Sequence, residues 1–285
     1  MSLYLNTNHI VWNEFGGLEP ANPEWTNQFD YWEDYVEKFF QSNGMPFDPA
    51  DSNVEQWLMS DDRAPFAGMV EELLPVLKDR VGVDDTDAIL FAHWLPDLHL
   101  GTSVTNFAMY KLELDDCFGF AISDRGLSAP FFAFDSLYKY LLNGRKRGLL
   151  IVADQKHVMY KSDLVAALAP ANSASILQID TDNTEGLRYA GYLRHVLKDG
   201  ESNDAAISKM LETLSLDAAN TQLIGSQKLL VDVTSGANKI ITQDKLVCTA
   251  PFAELSAVTD LSQNYVLLCQ DDNVISALGF EGIAE

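Results

Sequence analysis

Residues 111–155 constrain the fold of this chain more than any other stretch. A short apolar run at 118–122 is followed by Ser123-Asp124-Arg125-Gly126, a polar break with turn chemistry. A segment with helical spacing spans 129–142, and a second apolar run occupies 148–153. This order predicts a strand, a turn, a helix and a strand in a parallel sheet. Because open α/β folds place their chemistry at the carboxyl ends of buried strands, the turn is the first candidate for a site.

Charge and composition exclude several classes of function. The chain has 285 residues, 47 % of them hydrophobic, and a net charge of −23. Such a polyanion is not expected to bind nucleic acid or an anionic membrane surface. No apolar run approaches the roughly 20 residues of a membrane span, and the first residues lack the pattern of a signal peptide. We therefore expect a cytoplasmic protein.

The three cysteines are Cys117, Cys248 and Cys269. They are widely spaced, and no pair has the spacing of metal ligands. A disulfide framework is not expected in a cytosolic chain of this length. The sequence therefore predicts buried reduced thiols and no metal site.

The first 62 residues are rich in tryptophan and carboxylates. Within them, residues 25–40 place aromatic side chains on one stripe of an acidic helix. The helix could pack on the core, or its aromatic stripe could contact a partner subunit or cover a tunnel. Periodicity leaves both interpretations open.

The two parts of the chain share the same order of predicted elements, which is helix, buried strand, loop, helix and strand. This predicts a duplicated α/β arrangement with a site between the halves. We place the halves at residues 1–165, which include the acidic aromatic region, and 166–285.

From Asp85 onward the order of signals resembles the ketoacyl-synthase III branch of the thiolase superfamily. The matching pieces are a strand and loop at 88–97, a helix ending in Leu112-Glu113-Leu114, and the strand–turn–helix–strand unit. The resemblance covers roughly residues 65–285. It implies a thiolase fold, a duplicated five-layer αβαβα arrangement, and no cofactor.

The nucleophile of that family is a cysteine on the sharp turn after the strand. Cys117 looks like a match because Cys117-Phe118-Gly119-Phe120 resembles the family's Cys-x-Gly-Phe. However, Cys117 precedes the strand and lies 27 residues before Gly144, too far from the end of the helix. Family-like spacing falls instead on Gly126, Leu127 and Ser128. We therefore interpret Cys117 as a structural thiol and keep it as an alternative nucleophile.

The other two catalytic positions of the family also differ here. Ser226 stands where the resemblance places the histidine, and residues 245–252 lack the family's Gly-Asn. The glycine-rich turn near the family's C-terminus is replaced by Gln270-Asp271-Asp272-Asn273. Decarboxylative condensation needs a thiolate and donors for the developing negative charge. The degenerate positions Leu127, Ser128 and Ser226 thus predict no catalytic residue.

The sequence is most similar to the non-catalytic subunit of the condensing heterodimer of alkylquinolone biosynthesis. Residues 120–124 and Ala250-Pro251-Phe252 carry this likeness. It implies a pseudoenzyme that pairs with a catalytic ketosynthase III-like subunit in a heterodimer or heterotetramer, and that meets acyl thioesters or an acyl carrier through that partner. The alternatives are an active acyltransferase or ketosynthase using Cys117, and an acyl-ligand binding protein.

Overall fold

The computed structural model describes residues 3–181, 185–236 and 238–283. Over these residues eleven strands form one mixed sheet with helices on both faces. The strands are β1 (Tyr4–Leu5), β2 (Ile10–Phe15), β3 (Ala88–Ala92), β4 (Phe118–Ile122), β5 (Arg147–Asp154), β6 (Asn172–Asp180), β7 (Leu187–Val196), β8 (Thr221–Gly225), β9 (Asn238–Ile241), β10 (Asn264–Asp271) and β11 (Val274–Glu281). The helices are α1 (Phe29–Ser42), α2 (Val54–Met59), α3 (Phe66–Lys78), α4 (Val104–Lys111), α5 (Ala129–Leu141), α6 (Asp163–Leu168), α7 (Asn203–Leu214), α8 (Gln227–Leu230) and α9 (Ala250–Ser256).

The strand order repeats in the two halves of the sheet. The first half runs β4-β3-β5-β6-β2 and the second runs β9-β8-β10-β11-β7. In both halves the first three strands in this order are parallel, and the fourth and fifth are joined by antiparallel pairing. β1 lies between the halves and pairs antiparallel with β6 and β7. The repeat confirms the predicted duplication.

Three hydrophobic clusters separate the structure into five layers. The central cluster combines α5 and α9 with the inner faces of both half-sheets, and Phe131 and Phe252 meet there edge to face at 6.1 Å. α3 and α4 cover the outer face of the first half-sheet. α7 and α8 cover the outer face of the second. The layers therefore follow the predicted order αβαβα.

The predicted boundary between the two halves of the chain stays a prediction, and the strand order of the sheet changes at a different point. The predicted boundary at 165/166 falls between β5 and β6. The repeated strand order instead changes from one half to the other between β6 and β7. β6 belongs with the first half by its pairing, because it extends the ladder of β5.

β4 differs from its prediction as a buried strand. It pairs with β3 on one side and, among the described residues, with no strand on the other. Phe118 and Phe120 are 46 % and 38 % exposed as a result. An apolar run shows that a strand forms, but it does not show how many neighbours the strand has.

The acidic aromatic region forms α1 and α2 against the first half. Trp32 packs edge to face on Trp57 at 4.9 Å, and Val36 is buried. Tyr31 and Phe39 of α1 are exposed, and the Phe39 ring also stacks on Tyr160 at 6.3 Å. Among the described helices, none combines the length and the apolar character needed to cross a bilayer.

Candidate functional site

A sharp elbow connects β4 to α5 at the carboxyl end of the sheet. Gly126 takes a left-handed φ of +55°, a conformation that favours glycine. One turn of 3-10 helix, Gly126–Ser128, follows, and α5 then starts with Pro130 in its first turn. Leu127 stands at the tip of the elbow, with its side chain against a cavity.

The second half carries an equivalent elbow between β9 and α9. Ala250-Pro251-Phe252 begins α9 as residues 129–131 begin α5. Val247 has φ +50° and ψ −119°, a strained conformation for a β-branched residue. Counting back from the proline of each elbow, Cys248 occupies the position that Leu127 has in the first half.

A cavity of about 390 Å³ lies at these elbows. Its wall includes two residues that the resemblance marked as degenerate, Leu127 and Ser226. Apolar side chains form much of the remainder, and the charged lining residues are one lysine and three aspartates. The lining residues include Trp94, Leu164, Leu168, Lys228, Asp244, Val247, Pro251, Cys269, Asp271 and Asp272.

Cys248, on the second elbow, contacts the backbone of the first elbow. Its Sγ is 3.9 Å from the carbonyl oxygen of Gly126 and 4.0 Å from that of Leu127. Its backbone N–H donates to Oδ2 of Asp154 at 3.1 Å. Burial, and then the Asp154 carboxyl, raise the pKa of the Cys248 thiol well above its ordinary value. Cys248 is therefore a protonated structural thiol at neutral pH.

Two aspartates bind the elbows crosswise. Asp154, the last residue of β5, is fully buried and also accepts the backbone N–H groups of Trp94 and Leu95 at Oδ1. Asp271, the last residue of β10, lies against the first elbow, beside Gly126. The third strand in the order of each half, β5 or β10, thus ends in a carboxylate that contacts the elbow of the other half.

Asp271 sits close to the first elbow. A Cβ built on Gly126 would lie 2.7 Å from Oδ2 of Asp271. Burial raises the pKa of Asp271, the Leu127 and Ser128 N–H groups act in the opposite direction, and the charge of Asp272 raises it again. Of these two N–H groups, that of Ser128 donates to the carbonyl of Arg125 at 3.1 Å.

The serines at the degenerate positions make local hydrogen bonds. Ser226 caps α8 by accepting the N–H of Leu229 at 3.2 Å, and it also borders the cavity. Ser128 is buried and donates from its Oγ to the carbonyl of Arg125 at 2.8 Å. Leu127 and Ser226 therefore line the same cavity, whereas Ser128 is buried and does not line it.

Cys117 lies away from the elbows. It precedes β4, is half-buried, and packs on the cluster beneath α3 and α4. Burial and then the charge of Asp87 raise the pKa of its thiol to about 11. Cys269 is the thiol that does border the cavity, and burial and then Asp271 raise its pKa well above the ordinary value.

The histidines form ion pairs or backbone contacts outside this cavity. His157 is buried and contacts Oδ1 of Asp62 through Nε2 at 2.6 Å. His99 contacts Glu19, and His195 contacts Glu201 at 3.0 Å. Over residues 3–181, 185–236 and 238–283, no group of three or more His, Cys, Asp or Glu side chains is arranged to hold a metal ion.

Comparison with protein-family models gives no match, and neither does comparison with curated protein sequences. Solved structures match along the chain. A tetronic acid condensing enzyme (AbyA1) has a TM-score of 0.66 at 12 % identity, with 98 % of this chain and 100 % of that one covered. OleA from Xanthomonas campestris has a TM-score of 0.64 at 10 % identity, with 99 % of this chain and 99 % of that one covered. The chain has the thiolase fold.

A third neighbour belongs to the branch that the sequence resembles. The β-ketoacyl-[acyl carrier protein] synthase III from Thermus thermophilus has a TM-score of 0.61 at 12 % identity, with 96 % of this chain and 98 % of that one covered. At such identities the likeness shows the fold alone. The thiolase fold predicted from the order of strands, turns and helices is confirmed.

Within this thiolase fold, sequence reasoning missed the two aspartates and Cys269. Residues 270–273 were recognised as a replaced turn, but the contact of Asp271 with the first elbow was not. Two signals were available in the sequence. Ala-Pro-Phe occurs at the start of both elbow helices, and an aspartate ends the corresponding strands β5 and β10.

Proposed function

We propose that the chain is a non-catalytic, ketosynthase III-like subunit that pairs with an active condensing or acyltransferase partner. The elbow between β4 and α5 carries this proposal, because Leu127 is the residue at its tip that lines the cavity. A leucine cannot form the acyl thioester through which condensation proceeds. The product of the complex would be a secondary metabolite or another fatty-acyl-derived compound.

The free edge of β4 supports pairing with another chain. Phe118 donates its N–H to Asp87, and the carbonyl of Ile122 accepts from His93, so alternate residues face β3. Gly119 and Ala121 therefore direct their backbone groups outward. Beside this edge, Phe118 stacks on Tyr140 at 5.2 Å and leaves an exposed aromatic surface. An unpaired edge of this kind is a template for a strand of a second chain.

Charge favours a different chain over a second copy. Antiparallel self-pairing centred on Phe120 would set Asp116 opposite Asp124 at both ends of the ladder. Like charges opposite each other destabilise a strand pair, and both copies would carry −23. The partner we propose is a less acidic ketosynthase III-like chain that has a cysteine at its own elbow.

Co-expression with such a synthase tests the pairing. Ala121→Pro removes one outward N–H of β4 without removing a bond to β3, whereas Ala121→Ser keeps it and serves as the matched control. We expect the unmodified chain and Ala121→Ser to co-purify with the partner, and Ala121→Pro to lose it. A stable homodimer that never co-purifies with the partner would refute the proposal.

Intact-mass analysis after incubation with acyl thioesters tests the absence of chemistry. We expect no stable adduct on this chain alone. An adduct that disappears on Cys117→Ala would support instead the active acyltransferase or ketosynthase.

The cavity favours a second candidate, an acyl-ligand binding protein. Its volume of about 390 Å³ and its wall of Trp94, Leu164 and Leu168 suit a small apolar molecule. Organic extraction of the purified chain followed by mass spectrometry would detect such a ligand. A stoichiometric acyl compound in a monomeric preparation would favour this candidate over the subunit.

A further inference from the structure

We propose that a second cavity, on the outer face of the first half-sheet, binds a small organic ammonium ion whose charge pairs with Asp97. The cavity has a volume of about 430 Å³, within the range of small-molecule sites. It lies beside the free edge of β4 and shares no described lining residue with the cavity at the elbows. The inference therefore goes beyond the proposed function, which concerns the elbows and the edge itself.

The cavity forms where the chain leaves β3 and begins α4. The rings of Phe66, Phe91 and His93 line it and pack on one another, with centroids 5.0–5.3 Å apart. A ring or a short apolar chain of a ligand can pack against such an aromatic wall. Hydroxyl groups that can accept hydrogen bonds also line the cavity, from Thr102, Ser103 and Thr105.

Asp97 contributes a buried carboxyl group to this cavity, and only one of its oxygens is hydrogen-bonded. The residue is 9 % exposed. Its Oδ1 accepts the backbone N–H groups of Phe66 at 2.9 Å and Leu98 at 2.8 Å. Its Oδ2 is buried and has no hydrogen-bond partner among the described residues. Because a buried acceptor without a partner is unfavourable, a ligand that supplies a donor to Oδ2 would be stabilised.

The charge of Asp97 also has no basic side chain to balance it in the cavity. Among the described lining residues none is Lys or Arg, and His99 pairs through Nε2 with Glu19 at 2.9 Å. Burial raises the pKa of Asp97, whereas the N–H groups of Phe66 and Leu98 act in the opposite direction. The net charge of −23 attracts cations to the chain as a whole. A cationic ligand therefore complements this cavity, and a carboxylate or phosphate does not.

The lining favours an organic cation over a metal ion. In the part of the chain that the structure describes, no group of three or more His, Cys, Asp or Glu side chains is placed to ligate a metal. Calcium and magnesium need several oxygen ligands in a defined geometry. An ammonium group needs only hydrogen-bond acceptors, and its apolar part can pack on the aromatic wall. The ligand class is thus a primary amine with a short aryl or alkyl part.

Ligand-observed fluorine NMR with 2-(4-fluorophenyl)ethylammonium tests binding to the purified full chain. The matched probe is 2-(4-fluorophenyl)ethanol, which keeps the ring and a hydrogen-bond donor but carries no charge. Salt at about 0.15 M screens attraction to the acidic surface. We expect the ammonium to bind at least about tenfold more tightly than the alcohol, because hydrogen bonds to charged groups are the stronger ones. Equal affinities, or no binding of the ammonium, would overturn the inference.

Asp97→Asn tests the carboxylate itself. The amide keeps an acceptor oxygen for the N–H groups of Phe66 and Leu98 and loses the charge, so ammonium affinity should fall at least about tenfold. Asp271→Asn is the matched control, because it removes a carboxylate from the elbow cavity instead. It should leave the affinity within about twofold, as expected for a distant site. A loss on Asp271→Asn rather than on Asp97→Asn places the ligand at the elbows and overturns the inference.

Thr102→Lys covers the case in which Asp97→Asn does not fold. Thr102 is exposed and borders the cavity, so a lysine there adds a positive charge beside the site without entering the core. We expect it to weaken ammonium binding at least about fivefold by like-charge repulsion. Thr102→Gln adds similar length without charge and should change the affinity less than about twofold. If the lysine variant binds the ammonium as tightly as the unmodified chain, this cavity is not the site.

Discussion

Gly126→Ala measures how strongly the elbow depends on Asp271. A left-handed backbone costs an L-residue about 1–2 kcal/mol. The new Cβ would also lie 2.7 Å from Oδ2 of Asp271, so the carboxylate must move. Such overpacking costs a further ~1–3 kcal/mol. We expect a total destabilisation of about 2–5 kcal/mol.

Gly144→Ala is the control for the backbone alone. Gly144 has a left-handed φ of +92°, and a Cβ there meets no heavy atom within 4 Å. Its substitution should cost only the ~1–2 kcal/mol of the left-handed conformation. The two variants should therefore differ by about 1–3 kcal/mol, and thermal melts followed by circular dichroism should separate them by about 2–12 °C, at about 2–4 °C per kcal/mol.

The same pair of substitutions in an Asp271→Ala background completes the test. Without the carboxylate, both alanines should lower the melting temperature by similar amounts. If Gly126→Ala melts no lower than Gly144→Ala when Asp271 is present, the contact does not stabilise the elbow and the reasoning is refuted.

Three further predictions follow from burial, packing and charge. Because burial raises the pKa of Cys117 to about 11, its alkylation by iodoacetamide, followed by mass spectrometry, should rise about tenfold per pH unit between pH 8 and pH 10; rapid, pH-independent labelling would contradict this. Phe131→Ala and Phe252→Ala should each lower the free energy of unfolding by about 3–5 kcal/mol, and a double-mutant cycle in urea should show a coupling of about 0.5–1.5 kcal/mol for their edge-to-face contact, whereas strict additivity would argue against that contact. The Ser235 and Thr234 backbone and hydroxyl donors lower the pKa of Asp204 to about 2, so its stabilising effect is present above the ordinary value of 3.8 and is lost as the pH falls toward 2; the melting-temperature loss on Asp204→Ala should shrink from pH 7 to pH 2, and a constant loss would disprove this role.

Hydrophobic period and turn residues predicted those strands and helices whose formation depends on neighbouring residues in the sequence. The strand at 118–122 and the helix from Ala129 follow from period and turn chemistry, and the structure has them as β4 and α5. β2 and β9 carry no comparable alternation and were missed. The exposure of β4 was not predictable, because it depends on which strands lie beside it in the sheet.

The candidate site also contains residues that the sequence indicated and contacts that it did not. The family resemblance marked Leu127 and Ser226, and both line one cavity. The contact between Asp271 and the elbow joins distant parts of the chain, so no periodicity reports it. Only the similarity between the two halves would have placed Asp154 and Asp271 at equivalent strand ends.

The two-residue strand β1 also affects the order of events during synthesis. Tyr4 pairs with Asp180 and with Arg188, which are made about 180 residues later. At roughly 5–20 residues per second on the ribosome, that interval is about 10–40 s. The junction between the half-sheets therefore closes late, when β6 and β7 have been made and can pair with β1.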